Sequence, residues 1–314
     1  MRVVVIGATG NIGTSVLRAL RGDPEVSSIV AIARRAPGAS PGIDWRERDV
    51  TRDDLRPDLE GADAVVCLSW LIQPSRDLQK LRAVNVDGSR RTFEAAGAAG
   101  VPTLLYSSSV GAYSPGPKDR AVDENWPTDG IESSFYARQK AEVERILDEV
   151  EARHPELRVV RMRPALVFKR EAAAEIRRLF AGPLLPGFLA RPGLIPVVPR
   201  ATRLRFQAVH SLDVGEAFRL ALHADVRGAF NVAAEPVLDG HELGRLLGAR
   251  PVAVSRRLRE LGWAPRHRSG EALLDLLAGL REGAGSDTPP LDPSAGGRLR
   301  SEEILTGIGA REAQ

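Results

Sequence analysis

The sequence predicts an α/β chain: a doubly wound parallel sheet followed by a smaller, more irregular region. Three observations carry this. Short apolar runs alternate with amphipathic stretches through the first half, a glycine-rich turn stands directly after the first run, and past Pro164 proline and glycine interrupt the periodicity. The 314 residues, 43% hydrophobic and 27% charged, suffice for one large domain or two modest ones. That composition, with a single cysteine, excludes intrinsic disorder, a collagen-like fibre and a disulfide scaffold.

Val3-Val4-Val5-Ile6 is apolar at every position and reads as a strand buried on both faces, with a helix following over 12–20. Further strands are expected over 28–33, 45–48, 64–68, 103–106 and 157–162, and long helices over 78–99 and 134–152. Beyond Arg163-Pro164 the pairs Gly182-Pro183, Pro186-Gly187 and Pro192-Gly193 mark a loop-rich segment. Strands over 206–210 and 229–232 and helices over 214–223, 240–247 and 271–280 complete it. The expected division is a core domain over 1–165, a substrate-binding region over 166–281 with about 204–232 returning to the main sheet, and a flexible tail over 282–314 with a short helix near 301–305.

Basic residues number 44 and acidic residues 41, so the net charge of +3 gives no electrostatic footprint for nucleic acid. Lys80, Lys118, Lys140 and Lys169 are the only lysines among these basic residues, so each draws attention. No secretory signal or membrane span is visible, and a cytoplasmic protein is expected. Cys67, inside the fourth strand, reads as a small buried side chain. His210 with Asp213 offers too few ligands for a metal, and none is expected; Asp213 followed by Glu216 reads as a helix capping box.

Gly7-Ala8-Thr9-Gly10-Asn11-Ile12-Gly13 joins the first strand to the first helix. Glycine there allows a sharp turn and lets backbone N–H groups approach a pyrophosphate, whose charge the helix N-terminus also favours. No lysine follows Gly13, so the turn is not a P-loop. Downstream, Tyr136 and Lys140 lie four apart at the start of a predicted helix and share one face. Ser107-Ser108-Ser109 ends the fifth strand, at the sheet edge where doubly wound folds bind ligands.

With its G-x-x-G-x-x-G spacing, its serine run and its Tyr-x-x-x-Lys, the chain resembles the extended short-chain dehydrogenase/reductases, the NAD-dependent epimerase/dehydratase family, over about residues 2–280. The resemblance implies a Rossmann-type fold and a nicotinamide dinucleotide held by Gly7, Thr9, Gly10, Asn11, Ile12 and Gly13. It puts Asp49 and Val50 at the adenine edge, Leu68 and Ser69 on the ribose and nicotinamide side, and backbone amides of Leu166 and Val167 at the carboxamide. Arg34 and Arg35 end the second strand where NAD-binding members carry an acid, which favours NADP, with NAD still possible. As two more solvated arginines they would mean nothing.

By the same resemblance Tyr136 is the acid/base, Lys140 lowers its pKa and binds a ribose hydroxyl, and Ser109 holds the substrate oxygen. A phenol with a pKa of ~10 needs roughly 4 kcal/mol of preferential phenolate stabilisation to act near neutrality. Ser107 and Ser108 are expected to satisfy backbone groups. Asn85 either holds helix geometry and a water near the lysine or merely caps or kinks its helix. Two departures weigh against a nucleotide sugar: Phe206 stands where such enzymes carry an arginine, with Arg205 one step out of register, and the stretch after Arg163 lacks an expected Asn.

The expected activity is hydride transfer between nicotinamide and a carbonyl or secondary alcohol. The alternatives are a dinucleotide-sensing regulator without turnover and a nucleotide-sugar epimerase. The resemblance also implies a homodimer through the two long helices, with Leu81, Val84, Phe93, Ala96, Ala141 and Ile146 as its core, although the same stripes could cover the sheet of a monomer.

Overall fold

Along each central strand, side chains alternate between two apolar layers, and this alternation explains the uninterrupted hydrophobic runs. β1 (Arg2–Ile6) sends Val3 and Val5 into one layer and Val4 and Ile6 into the other. β2 (Ser28–Ala33) divides Ile29 and Ala31 from Val30 and Ile32, and β4 (Ala64–Cys67) divides Ala64 and Val66 from Val65 and Cys67. With β3 (Asp44–Glu47), β5 (Thr103–Ser107), β6 (Arg158–Pro164) and β10 (Gly228–Val232) they form a seven-stranded parallel sheet in the order β10-β6-β5-β4-β1-β2-β3. The order reverses between β1 and β4, which opens a crevice at their carboxyl ends. The chain is seen as a computed structural model that describes residues 1–72, 77–117, 120–175, 205–239, 260–288 and 291.

Helices α1 (Asn11–Arg21) and α6 (Ser211–His223) cover one face of the sheet; α4 (Gly88–Ala98) and α5 (Phe135–Arg153) cover the other. α1 and α6 meet at backbone distance, since a Cβ on Gly215 would lie 2.5 Å from the Ser15 carbonyl oxygen. A short α2 (Arg56–Leu59), with proline in its first turn, precedes β4. The helix expected over 78–99 is broken: α3 (Leu78–Arg82) passes through a π turn (Ala83–Asp87) before α4 begins.

The strand expected over 206–210 divides in two. β8 (Arg205–Phe206) pairs antiparallel with β11 (Leu238–Asp239), while β9 (Ala208–His210) pairs parallel with β7 (Leu166–Phe168). α7 (Ser269–Glu282) closes a small core over β7 and β9 with Ala272 and Leu276. α6 starts three residues earlier than expected because His210 caps it, Nδ1 accepting the Leu212 N–H at 3.2 Å. Asp213 therefore forms no capping box; its carboxylate accepts the Arg266 and His267 N–H groups, and Glu216 pairs with Arg219. The helices expected over 240–247 and 301–305 lie outside the described residues.

The six positions expected to form a dimer core are all buried within the chain itself. The outer face of α3, α4 and α5 instead carries the ion pairs Arg82–Glu142, Arg90–Glu149 and Arg153–Glu94. Among the described residues no helix is long and apolar enough to cross a membrane.

Candidate active site

Gly7 leaves β1 with φ +81°, and a Cβ there would lie 2.7 Å from the Ser69 nitrogen and 2.8 Å from the Leu68 carbonyl carbon. Only glycine lets the turn press this closely on the end of β4. Gly13 is equally constrained, its Cβ position 2.5 Å from the Gly7 oxygen, whereas the space beside Gly10 is open, with the same oxygen at 3.6 Å. Gly10 is the N-cap of α1, no side chain caps that helix, and no acid stands in its first turn. An open cradle before an uncapped helix start fits a dinucleotide pyrophosphate.

Thr9 is buried, and the Asn11 side chain turns away to donate to the Val167 carbonyl at 2.9 Å. The Asn11 carbonyl in turn accepts from Lys169 Nζ at 2.8 Å and Ser211 Oγ at 2.9 Å. Lys169, which also donates to the Thr14 and Ser15 hydroxyls, is buried and pulled down to about 8 by that burial. It clips β7 to the first turn of α1. Its rarity as a lysine was the only sequence signal for it.

Arg34 and Arg35 are exposed at the carboxyl end of β2. Burial pushes the nearby Asp49 carboxyl up, but hydrogen bonds from the Thr51 N–H and hydroxyl, with the Arg34 and Arg52 charges, hold it below its ordinary value. Val50 packs beneath Gly88, where a Cβ would lie 2.7 Å from its Cγ2. On the nicotinamide side, the Leu166 N–H already donates to the Gln207 carbonyl at 3.1 Å. Gln207, the residue before β9, takes this amide in the chain as it stands.

Ser109 follows β5 and caps the short turn Val110–Ala112, its Oγ accepting the Gly111 N–H at 3.0 Å. Tyr136 is the second residue of α5, a helix capped by Ser134. A Cβ on Gly111 would lie 2.9 Å from Tyr136 Cε1 and 3.3 Å from Ser109 Oγ, so this glycine lets phenol and serine meet. Burial pushes the Tyr136 phenol above its usual value, and a hydrogen bond with Ser109 offsets this in part.

Lys140 is 3% exposed, and its Nζ donates to the Ser107 carbonyl at 2.8 Å and to Tyr106 Oη at 3.2 Å. Burial pulls it down to about 7, against smaller opposing effects of Cys67 and Glu144. It shares a helix face with Tyr136, and in the chain as it stands β5 takes its hydrogen bonds. Trp70, which the sequence reading passed over, lays its ring 3.5 Å from Lys140 Nζ and meets Tyr136 edge-on at 5.8 Å. Asn85 lies in the π turn. Its side chain accepts the Leu71 N–H at 2.7 Å and donates to the Leu71 carbonyl at 3.1 Å and Gln139 Oε1 at 2.9 Å, so it ties the loop carrying Trp70 to α5.

Behind these groups lies a buried polar network. The Glu144 carboxylate, one turn past Lys140, accepts from Arg163 Nε at 2.8 Å and Nη2 at 3.0 Å, and from Ser108 Oγ at 2.6 Å. Ser108 thus serves a carboxylate and not a backbone group. Arg163 also donates to Tyr113 Oη at 3.2 Å and the Glu124 carbonyl at 3.0 Å, and Tyr113 donates to Asn231 Oδ1 at 2.7 Å. Burial works to raise the Glu144 carboxyl, but Arg163 and Ser108 outweigh it and hold the group below its usual range. Elsewhere, burial drives the Cys67 thiol up to about 12, which leaves it inert. No group of three or more metal-ligating side chains occurs among the described residues.

A glycine-rich turn after β1 and a Tyr–Lys–Ser cluster on the same sheet edge define a class of protein. The family model "NAD dependent epimerase/dehydratase family" matches residues 3–233, and the chain belongs to that family. Among characterised relatives it is 33% identical over 109 residues to an L-arabinose 1-dehydrogenase (NAD(P)(+)) of Haloferax volcanii, covering 34% of this chain and 41% of that protein. It is 32% identical over 151 residues to sterol demethylase protein B of Methylococcus capsulatus, covering 45% of this chain and 44% of the other. The matched stretch thus spans less than half the length of either relative.

Solved structures share the fold over 90% of this chain. A UDP-N-acetylglucosamine 4-epimerase from Methanobrevibacter ruminantium, in complex with UDP-N-acetylmuramic acid, superposes with TM-score 0.72 at 21% identity, over 98% of its own length. A short-chain dehydrogenase/reductase superfamily protein from Agrobacterium tumefaciens with bound NAD gives 0.70 at 22%, again over 98% of its length.

Proposed function

We propose that this chain is an NADP(H)-dependent oxidoreductase of the extended short-chain type, interconverting a carbonyl and a secondary alcohol in the cytoplasm. The observation that carries this reading is the meeting of Ser109 and Tyr136 over Gly111, one helical turn from Lys140. The dinucleotide, when bound, supplies or accepts hydride. Tyr136 exchanges the proton of the substrate oxygen, and Ser109 holds that oxygen beside it. Because burial leaves the phenol protonated, it is ready as the acid for carbonyl reduction.

A dinucleotide sensor without turnover is the second reading. The presence of Ser109, Tyr136 and Lys140 together speaks against it. A nucleotide-sugar epimerase is less favoured because Arg205 is exposed on β8 with Phe206 in the position such enzymes give to arginine.

Screening carbonyls with NADPH and alcohols with NADP tests the proposal directly. Tyr136→Phe is expected to lower turnover by about 10²–10⁴-fold while cofactor affinity in calorimetry stays nearly unchanged. An active Tyr136→Phe protein overturns the mechanism. For the cofactor, Arg34→Ala with Arg35→Ala is expected to weaken NADP by about one to two decades and leave NAD unchanged. Equal affinity of the parent for both dinucleotides would remove that role from the arginines.

A further inference from the structure

The ammonium of Lys140 has three N–H groups, and each has a destination: the Ser107 carbonyl at 2.8 Å, Tyr106 Oη at 3.2 Å, and the face of the Trp70 indole, 3.5 Å from ring centroid to Nζ. No donor is left for a ribose hydroxyl. The first is a backbone carbonyl of a central strand and the second a fully buried side chain on the same strand. The third is a half-buried side chain on the loop after β4.

Trp70 is poorly held where it stands. Its indole N–H is buried and finds no partner among the described residues, which is unusual for a buried tryptophan and makes the position costly. The next residue is the opposite case, since Asn85 bonds both the N–H and the carbonyl of Leu71. The backbone is therefore fixed immediately beyond a ring that is not, and any movement here belongs to the Trp70 side chain.

We propose that Trp70 is a displaceable cap on Lys140: the indole occupies the face of the ammonium that the nicotinamide ribose must reach, and dinucleotide binding exchanges ring for sugar. This rests on the function proposed above. Trp70 is thus a positioning residue. It keeps water from Lys140 and gives Tyr136 an apolar edge until the cofactor arrives. The other titratable groups facing the ammonium are Cys67 on β4, Tyr106 on β5 and Glu144 on α5. A cation against an aromatic face gains enough that its loss should be visible in binding.

The test is fluorescence of the full chain, with the signal of Trp70 taken as parent minus Trp70→Phe, combined with calorimetry. In the cofactor-free protein this difference signal is expected to change as Lys140 loses its proton near pH 7, and to lose that change in Lys140→Met. Saturating NADP or NAD should shift the Trp70 emission, whereas adenosine 2′,5′-bisphosphate or ADP, which lack the nicotinamide ribose, should bind without shifting it. Trp70→Ala should bind the full dinucleotide about three- to tenfold tighter, with unchanged affinity for the half-molecules. A pH-silent Trp70, an emission unmoved by bound dinucleotide, or weaker binding in Trp70→Ala and Trp70→Phe alike would each overturn the cap. Absence of any dinucleotide binding by the parent would instead overturn the functional reading, while the pH titration still decides whether the ring covers the ammonium.

Discussion

Towards β2 the edge of the sheet is shaped by backbone. Gly7 and Gly13 exclude a single carbon atom from two contacts, the start of α1 is left uncapped, and Arg34 and Arg35 stand in solvent. Towards β5 and β6 the same edge is shaped by buried side chains: Glu144, Arg163 and Ser108 hold one another, and Lys140 is bonded to β5. The first side depends on the absence of side chains and the second on their interlocking. They should therefore fail differently when mutated.

The sharpest break is expected at the buried pair. Glu144→Ala leaves the Arg163 guanidinium inside the protein without its carboxylate and should lower stability by about 3–5 kcal/mol in urea titrations. Because Glu144 is held below its unfolded value, its contribution is complete above that value and is lost as the pH falls through the folded one. Parent and variant should therefore converge in acid. A loss under about 1 kcal/mol at pH 7 would show that the network is not what fastens this side.

Lys140→Met sharpens the comparison in the opposite direction, since removing a buried charge should stabilise the fold. The folded value of about 7 lies below the unfolded one, so the penalty is full below pH 7 and fades as the pH climbs towards the unfolded lysine value. A gain on the order of 2 kcal/mol is expected at pH 6 in thermal melts, shrinking steadily at pH 9. An unchanged gain across that range would contradict the assignment to lysine.

The smallest effect belongs to the outer face of the helices. Glu142→Ala, which breaks the exposed pair with Arg82, should cost less than about 1 kcal/mol. With the six expected seam positions buried, that face offers mostly charge beside an exposed Leu78, and light scattering at micromolar protein is expected to give the mass of one chain. A salt-sensitive dimer would show that the ion pairs serve assembly after all.

What could be read from the sequence follows the same division. The strands β1, β2, β4 and β5, the glycine turn and the Tyr–Lys spacing are local patterns, and local pattern suffices where backbone decides. Gly111 was hidden because its role depends on a ring 25 positions away, brought over it by α5. Trp70 and the partners of Glu144 were hidden for the same reason, and Lys169 was visible only as one of four lysines. The split of 206–210 into β8 and β9 depends on two different partner strands, and no periodicity within five residues reports that. His210 took the cap of α6 from Asp213 because an imidazole nitrogen can accept a hydrogen bond as a carboxylate does.

The π turn between α3 and α4 has a consequence for how this chain tolerates change in length. A π turn holds one residue more than the α-helical ladder around it. Deleting one residue of the turn other than Asn85 would remove that extra residue and allow α3 and α4 to run on as a continuous α-helix with their outer ends in nearly the same rotational register. The change would fall inside the turn itself, where Asn85 clasps Leu71. A single lost codon, far in sequence from the glycine turn and from Tyr136, would therefore strike the tie on the loop that carries Trp70, with the helices on either side still in place and every residue of the Ser–Tyr–Lys cluster still present.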